Sequence, residues 1–305
     1  MTYSHVLVIN AASGGSVGPA DTSQAYSILL LQNAERGPFD RDVLGTPEAW
    51  ECEFNVANPK DAVDALARIR AALAAEPLDV NIVPSAHRRK QLLIADMDST
   101  IIQQECIDEI ADFAGIKPRI AAITERAMRG ELPFEAALRE RVALLKGLDQ
   151  GALRRVMEER VTLMPGARTL VATMRKHGAF CALVSGGFSY FTFRVAQLAG
   201  FDVNQANTLE IENGRLTGRV SDPILGREAK LEALNRFSAQ RGLTPLQTLA
   251  VGDGANDLSM IKAAGLGVAY RAKPIVAAEA DAAIQHGDLT ALLYLQGYKR
   301  TEFVA

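Results

Sequence analysis

Short apolar runs and one amphipathic repeat carry the first 85 or so residues. Strand-like segments fall at Val6-Leu7-Val8-Ile9, Glu53-Phe54-Asn55-Val56 and Val80-Asn81-Ile82-Val83. Val63, Leu66, Ile69 and Leu73 recur at helical spacing, which predicts an amphipathic helix over 61–75. Residues 27–31 are apolar and fit either helix or strand. The outline is a small α+β domain over 1–85, followed by His87-Arg88-Arg89-Lys90, a charged stretch expected to be a solvated linker.

From Gln91 the rhythm changes. Leu92-Leu93-Ile94-Ala95, Phe180-Cys181-Ala182-Leu183-Val184, Leu249-Ala250-Val251 and Leu266-Gly267-Val268-Ala269 are apolar without alternation, as strands covered on both faces are. Helical patterns separate them at 167–176, 190–198, 228–240, 257–264 and 274–280. Strands alternating with helices predict an α/β, Rossmannoid parallel sheet over 91–305, with functional residues at the carboxyl ends of its strands. One segment breaks the alternation. Residues 101–164 read as almost entirely helical, in pieces over 107–114, 118–129, 134–146 and 150–160. That segment is expected to form a helical cap, inserted after the first strand and seated above the strand ends. The stretch 204–224 reads as irregular, with Glu212-Asn213-Gly214-Arg215 marking a hairpin turn.

Composition narrows the function classes. A chain of 305 residues with 48% hydrophobic content has material for two domains and a sizeable core. Its 33 basic and 36 acidic residues nearly balance, which gives no electrostatic reason to expect nucleic acid or a membrane surface as partner. Three scattered cysteines with no CxxC pair point to reduced thiols and a cytoplasmic setting. The N-terminus lacks the pattern of a secretory leader, and no apolar run approaches the ~20 residues of a membrane helix.

The candidate chemistry sits where three strands end. Asp96-Met97-Asp98-Ser99-Thr100 follows the first strand, and alternation lets both carboxylates face one site. An ionised Asp96 is a competent nucleophile toward phosphorus if a cation screens the phosphate, and Mg²⁺ takes oxygen ligands of this kind. A turn with Asp98 capping the next helix would explain the same residues. Ser185-Gly186-Gly187 follows the second strand, either to close backbone amides on a phosphate oxygen or simply to make a tight turn. Gly252-Asp253-Gly254-Ala255-Asn256-Asp257 follows the third, an expensive ending for a buried strand unless something cationic binds nearby. Lys230 lies between the last two motifs and would otherwise pass for a surface lysine.

Together these four motifs resemble those of the haloacid-dehalogenase superfamily of phosphotransferases. Glu105-Cys106-Ile107-Asp108-Glu109-Ile110, Phe134-Glu135-Ala136-Ala137-Leu138-Arg139-Glu140-Arg141-Val142 and Ala272-Lys273-Pro274 extend the likeness to the phosphoserine phosphatase family over 91–296. The resemblance implies an Mg²⁺-dependent hydrolase of phosphoserine that completes serine biosynthesis. In it Asp96 would be the nucleophile and Asp98 the proton carrier. Mg²⁺ would bind the Asp96 side chain, the Asp98 carbonyl and Asp253, with Asp257 in support. Ser185, Gly186, Gly187 and Lys230 would hold the phosphoryl group, and Asn256 would line the site. Glu105 and Arg141 would clamp the ammonium and carboxylate of the amino acid, with Phe134 as an apolar wall. Arginine suits bidentate carboxylate recognition, although Glu105 as a helix cap and Arg141 as surface charge remain open from the residues alone. A related phosphatase or phosphotransferase for another small phosphate monoester and a non-catalytic ligand-binding relative are the alternatives. The N-terminal domain resembles ACT-type regulatory domains by pattern only; amino-acid binding, homodimer formation and bracing all fit it.

Overall fold

The computed structural model describes residues 3–31, 35–36, 44–128 and 131–305. The N-terminal unit runs β1 (His5–Ala11), α1 (Pro19–Leu31), β2 (Glu35–Arg36), β3 (Ala49–Asn55), α2 (Pro59–Ala72) and β4 (Leu78–Pro84). Its four strands form one sheet in the order β2-β3-β1-β4, with antiparallel neighbours, the connectivity of a ferredoxin-like fold. Leu7, Ile9, Trp50, Cys52 and Phe54 point to one face and are covered by Ala25 and Leu29 of α1 and Ala62, Ala65 and Ile69 of α2. The ambiguous run at 27–31 is helical, the last turn and a half of α1, where Leu29 is buried and Leu30 is exposed.

Much of the opposite face of that sheet is covered as well, although Glu53 on it is exposed. Val6, Val8, Ala49 and Val83 join the main core beside Leu292, Leu293 and Tyr294. The expected solvated linker is also packed. The Arg88 guanidinium donates to the Leu295 and Tyr294 carbonyls at 2.8 and 2.9 Å. The Lys90 ammonium donates to the Leu246 and Gly265 carbonyls at 2.8 and 3.2 Å, with only 6% of the residue exposed. Long basic side chains can bury their stems when their heads find carbonyl acceptors, so charge alone did not place this stretch in water.

The second unit begins with β5 (Leu92–Ala95), then α3 (Cys106–Phe113), α4 (Lys117–Met128), α5 (Phe134–Ala143), α6 (Gly151–Glu159), α7 (Ala167–Lys176), β6 (Phe180–Phe188), α8 (Ser189–Ala199) and β7 (Val203–Asn207). A hairpin of β8 (Leu209–Glu212) and β9 (Arg215–Val220) follows, then α9 (Arg227–Arg241), β10 (Thr248–Gly252), α10 (Leu258–Ala263), β11 (Gly267–Tyr270), α11 (Pro274–Ala277), β12 (Ala282–Ile284) and α12 (Ala291–Leu295). Arg129, expected at the end of the second cap helix, lies outside the described residues.

Six strands form a wholly parallel sheet in the order β12-β11-β10-β5-β6-β7. Alternate residues feed two cores: Leu93, Cys181 and Leu249 face α7 and α8, while Leu92, Ile94, Ala182 and Ala250 face α9 and α10. Burial on both faces explains the unbroken apolar runs. Two short outer strands, β7 and β12, were not foreseen. Val203-Asn204-Gln205-Ala206-Asn207 is a partly exposed edge strand with polar residues, and β12 has three residues.

Helices α3 to α6 form a cap entered through a narrow neck. Gln103 N donates to the Thr162 carbonyl at 3.1 Å and Met164 N to the Ile101 carbonyl at 2.8 Å. The hairpin belongs to the same layer: Gly147 N donates to the Leu216 carbonyl at 2.8 Å, and Gln150 N to the Gly214 carbonyl at 2.9 Å. Asn213 and Gly214 both take positive φ, +52° and +74°, as the expected turn requires. Among the described residues no helix is long and apolar enough to cross a membrane.

Candidate active site

The parallel register aligns the three motif-bearing strands. Val251 pairs with Ala95, and Ala95 with Leu183, so β10, β5 and β6 deliver their next residues to one sheet edge. Asp96 N still donates to the Val251 carbonyl at 3.0 Å, which fixes the first residue beyond β5. The Asp96 carboxylate is 5% exposed and accepts from the Lys230 ammonium at 2.8 Å. Lys230, 2% exposed on α9, also meets Asp257 Oδ1 at 2.5 Å. Burial opposes the lysine charge, but Asp257 and then Asp96 outweigh it and hold the ammonium well above its ordinary range.

Asp98 turns the other way. Its Oδ1 accepts from Cys106 N at 2.9 Å and its Oδ2 from Ser185 Oγ at 3.3 Å. Cys106 opens α3, so Asp98 does satisfy a helix N-terminus, from seven residues before the N-cap Glu105. Burial pushes its carboxyl up to about 6; the Cys106 amide pulls down and the Asp96 charge pushes up. Asp98 is thus not the N-cap that the sequence offered as its alternative, yet its carboxylate both takes the amide that opens α3 and meets the Ser185 hydroxyl.

The Ser185 hydroxyl accepts from Gly187 N at 2.9 Å, within the irregular last residues of β6, where the expected turn after Val184 is in fact still strand. A Cβ on Gly187 would stand 2.8 Å from Asp98 Oδ2, so glycine is required by close approach. Asp253 accepts from Thr100 Oγ1 at 3.3 Å. Asp257, fully buried, accepts from Gly254 N at 3.0 Å and leaves no room for a Cβ on Gly252.

A cavity of about 380 Å³ opens between the strand ends and the cap. Asp96, Asp98, Ser185, Gly186, Gly187, Asp253 and Asn256 line its floor; Glu105, Phe134 and Arg141 line it from the cap. Lys230 and Asp257 do not line it and stand behind Asp96. Phe134 lies across Gly186 and Gly226, 3.1 and 3.5 Å from where their Cβ atoms would sit. Sequence reasoning passed over several apolar lining residues, Ile107, Ala127, Leu132 and Leu138 among them, because helical spacing cannot separate a cavity wall from a core. It also gave Ser99 and Thr100 no role, although both hydroxyls bond acidic side chains.

The electrostatics favour a cation. Carboxylate oxygens of Asp96, Asp253 and Asp257 lie within 4.8 Å of one another. Burial first, and the Asp96 charge second, push Asp253 up to about 6 and Asp257 up to about 7. Glu105 rises to about 7, from crowding by protein and then from Asp98, even though solvent reaches it through the cavity mouth. Burial pulls the Arg141 guanidinium down while Asp108 and Glu105 oppose it. An all-oxygen, carboxylate-rich set fits a hard divalent ion.

Residues 93–262 match the family of haloacid dehalogenase-like hydrolases. A phosphoserine phosphatase of Streptomyces coelicolor is 48% identical over 243 residues, covering 78% of this chain and 59% of that one. A phosphoserine phosphatase of Albidiferax ferrireducens is 48% identical over 210 residues, 67% of this chain and 89% of that one. The chain thus spans under two thirds of the Streptomyces relative and most of the other. The solved structure of a probable phosphoserine phosphatase from Vibrio cholerae superposes with a TM-score of 0.75 at 32% identity, covering 98% of this chain and 88% of that one. The chain belongs to the haloacid dehalogenase-like hydrolase family.

Proposed function

We propose that the chain hydrolyses O-phospho-L-serine to L-serine and phosphate at this cavity, with Asp96 as nucleophile. The observation that carries the reading is the pairing of two chemistries across one space. Asp96 lies on the floor beside Lys230, while a carboxylate and a guanidinium, Glu105 and Arg141, face it from the cap. A phosphate needs the first pair and an amino acid the second.

In the first displacement the Asp96 carboxylate attacks phosphorus, the bond from phosphorus to the serine oxygen breaks, and Asp98 protonates that oxygen. In the second, Asp98 takes a proton from water, which attacks phosphorus and releases phosphate and Asp96. Mg²⁺, held by Asp96, the Asp98 carbonyl and Asp253 with Asp257 in support, would offset negative charge between carboxylate and phosphate. Lys230 balances charge at Asp96 from behind, Ser185, Gly186 and Gly187 cradle the phosphoryl oxygens, and Asn256 borders them. Phosphate monoesters are among the slowest bonds to hydrolyse, needing up to ~10²¹-fold acceleration, so splitting the barrier in two is chemically reasonable.

The same proposal divides the chain at about 85–91 and has the enzyme act in the cytoplasm on a small molecule. It assigns the N-terminal unit a bracing role. Asp79 accepts from the amides of Gln285 and Gly287 at 2.7 and 2.8 Å, and Asn81 exchanges hydrogen bonds with Ala283 at 2.9 and 3.1 Å. The test is kinetics on phosphoserine against a panel of phosphate monoesters, with and without Mg²⁺, alongside Asp96→Asn. Preference for phosphoserine, dependence on Mg²⁺ and no turnover by the variant are expected; preference for a monoester lacking amino and carboxyl groups would remove phosphoserine.

A further inference from the structure

The turn after Asp98 is built on a left-handed serine. Ser99 has φ +55°, a region that residues bearing a Cβ enter only at a cost. Its amide donates to the Gln104 carbonyl at 3.3 Å, and its hydroxyl donates to Glu105 Oε1 at 2.6 Å. The neighbouring residues are tied in the same way, Asp98 to Cys106 N at 2.9 Å. Two successive loop residues therefore grip two successive residues at the entry to α3. Glu105 sits at the N-cap of that helix without capping it: its carboxylate takes the Ser99 hydroxyl, while the first helical amide, that of Cys106, goes to Asp98. Its side chain is free of the helix and lines the cavity.

We propose that Ser99 is a positioning residue for substrate specificity: its hydroxyl fixes Glu105 Oε1, leaving Oε2 to receive the substrate ammonium. The inference rests on the phosphoserine reading of the site. A free glutamate samples many rotamers, and a carboxylate can accept from a hydroxyl and an ammonium at once, since the two donors use different oxygens. The strained turn is what aims the hydroxyl. Loop and cap then form one frame, in which the proton carrier and the ammonium ligand keep a fixed separation.

The test compares Ser99→Ala and Ser99→Gly. Both remove the hydroxyl, but glycine relaxes the left-handed backbone whereas alanine does not. Steady-state kinetics are run on phosphoserine and on its deamino analogue, the phosphate ester of 3-hydroxypropanoate. In both variants the ratio of kcat/KM for phosphoserine over the analogue is expected to fall about tenfold, carried mainly by KM. An unchanged ratio, or a fall in the alanine variant alone, overturns the role of the hydroxyl. If the wild-type protein itself shows no preference for phosphoserine, the reading of the substrate fails instead.

Discussion

The Asp98 carboxylate and the Cys106 amide are joined by a hydrogen bond of 2.9 Å, so one side chain serves both the strand end and the first turn of the cap. Replacements should separate those two tasks. Asn at position 98 keeps an acceptor for the amide but cannot carry a proton; Ala loses both. Asp98→Asn is expected to melt within a few degrees of wild type while losing at least ~10²-fold in kcat. Asp98→Ala should lose similar activity and, in addition, ~1 kcal/mol of stability from the uncapped helix. Thermal melts with kinetics on both variants check this, and equal melting temperatures would refute the capping role.

Excess negative charge around Asp96 predicts stabilisation by a divalent ion. At a hundredfold excess over its dissociation constant, Mg²⁺ should contribute about 2.7 kcal/mol, a rise of several degrees in Tm. Asp253→Asn should abolish that rise. Without metal the variant should melt no lower than wild type, because it removes one of the crowded carboxylates whose pKa burial and Asp96 push up. A Mg²⁺-induced shift surviving in Asp253→Asn would place the ion elsewhere.

Two adjacent glycines should respond differently to alanine. At Gly187 the new methyl meets Asp98 Oδ2 at 2.8 Å and Ser185 Oγ at 3.1 Å, and the short aspartate cannot yield without leaving its partners. At Gly186 the contact is the tip of the Phe134 ring at 3.1 Å, on a partly exposed side chain that can swing. Misplacement of a reacting group by ~1 Å can cost ~10²-fold, so Gly187→Ala should be much the more damaged in kcat. Gly186→Ala should alter KM more than kcat. A reversed order in steady-state measurements would contradict the geometry.

Lys90 makes stability depend on alkaline pH. Burial lowers its ammonium from the ordinary lysine value of 10.5 to about 8, against the pull of Asp281. Between those values the unfolded chain binds more protons than the folded one, so stability at this residue rises with pH through about 8 to 10.5. Urea unfolding of wild type against Lys90→Met across that window should reveal a gain of on the order of 1–3 kcal/mol in wild type that the variant lacks. The carbonyls of Leu246 and Gly265 left without their donor lower the variant at every pH and leave the slope untouched. Parallel pH profiles would show that Lys90 keeps its ordinary pKa.

What local pattern encodes was readable from the residues. Leu92–Ala95 and Phe180–Val184 are covered on both sides, so their burial is written in consecutive apolar letters. Asn213-Gly214 specifies its turn because both residues accept positive φ. Asp96, Ser185, Gly187 and Asp253 could be grouped before any fold was known, because parallel strands end on one edge and each motif lies at or just beyond a strand's carboxyl end, although β6 runs on through the Ser185-Gly186-Gly187 motif expected to follow it. Other features depend on partners far away in sequence. Polar β7 is a strand because β6 pairs with it. The basic run at 88–90 is packed because the carbonyls of Tyr294, Leu295, Leu246 and Gly265 happen to await it. The N-terminal sheet has much of its second face, at Val6, Val8, Ala49 and Val83, covered by residues more than two hundred positions away. Which of the two aspartates flanking Met97 meets Lys230 and which meets a helix amide is equally a matter of assembly. Period and composition report the burial of a residue, whereas direction and partner are set only when the whole chain has closed around it.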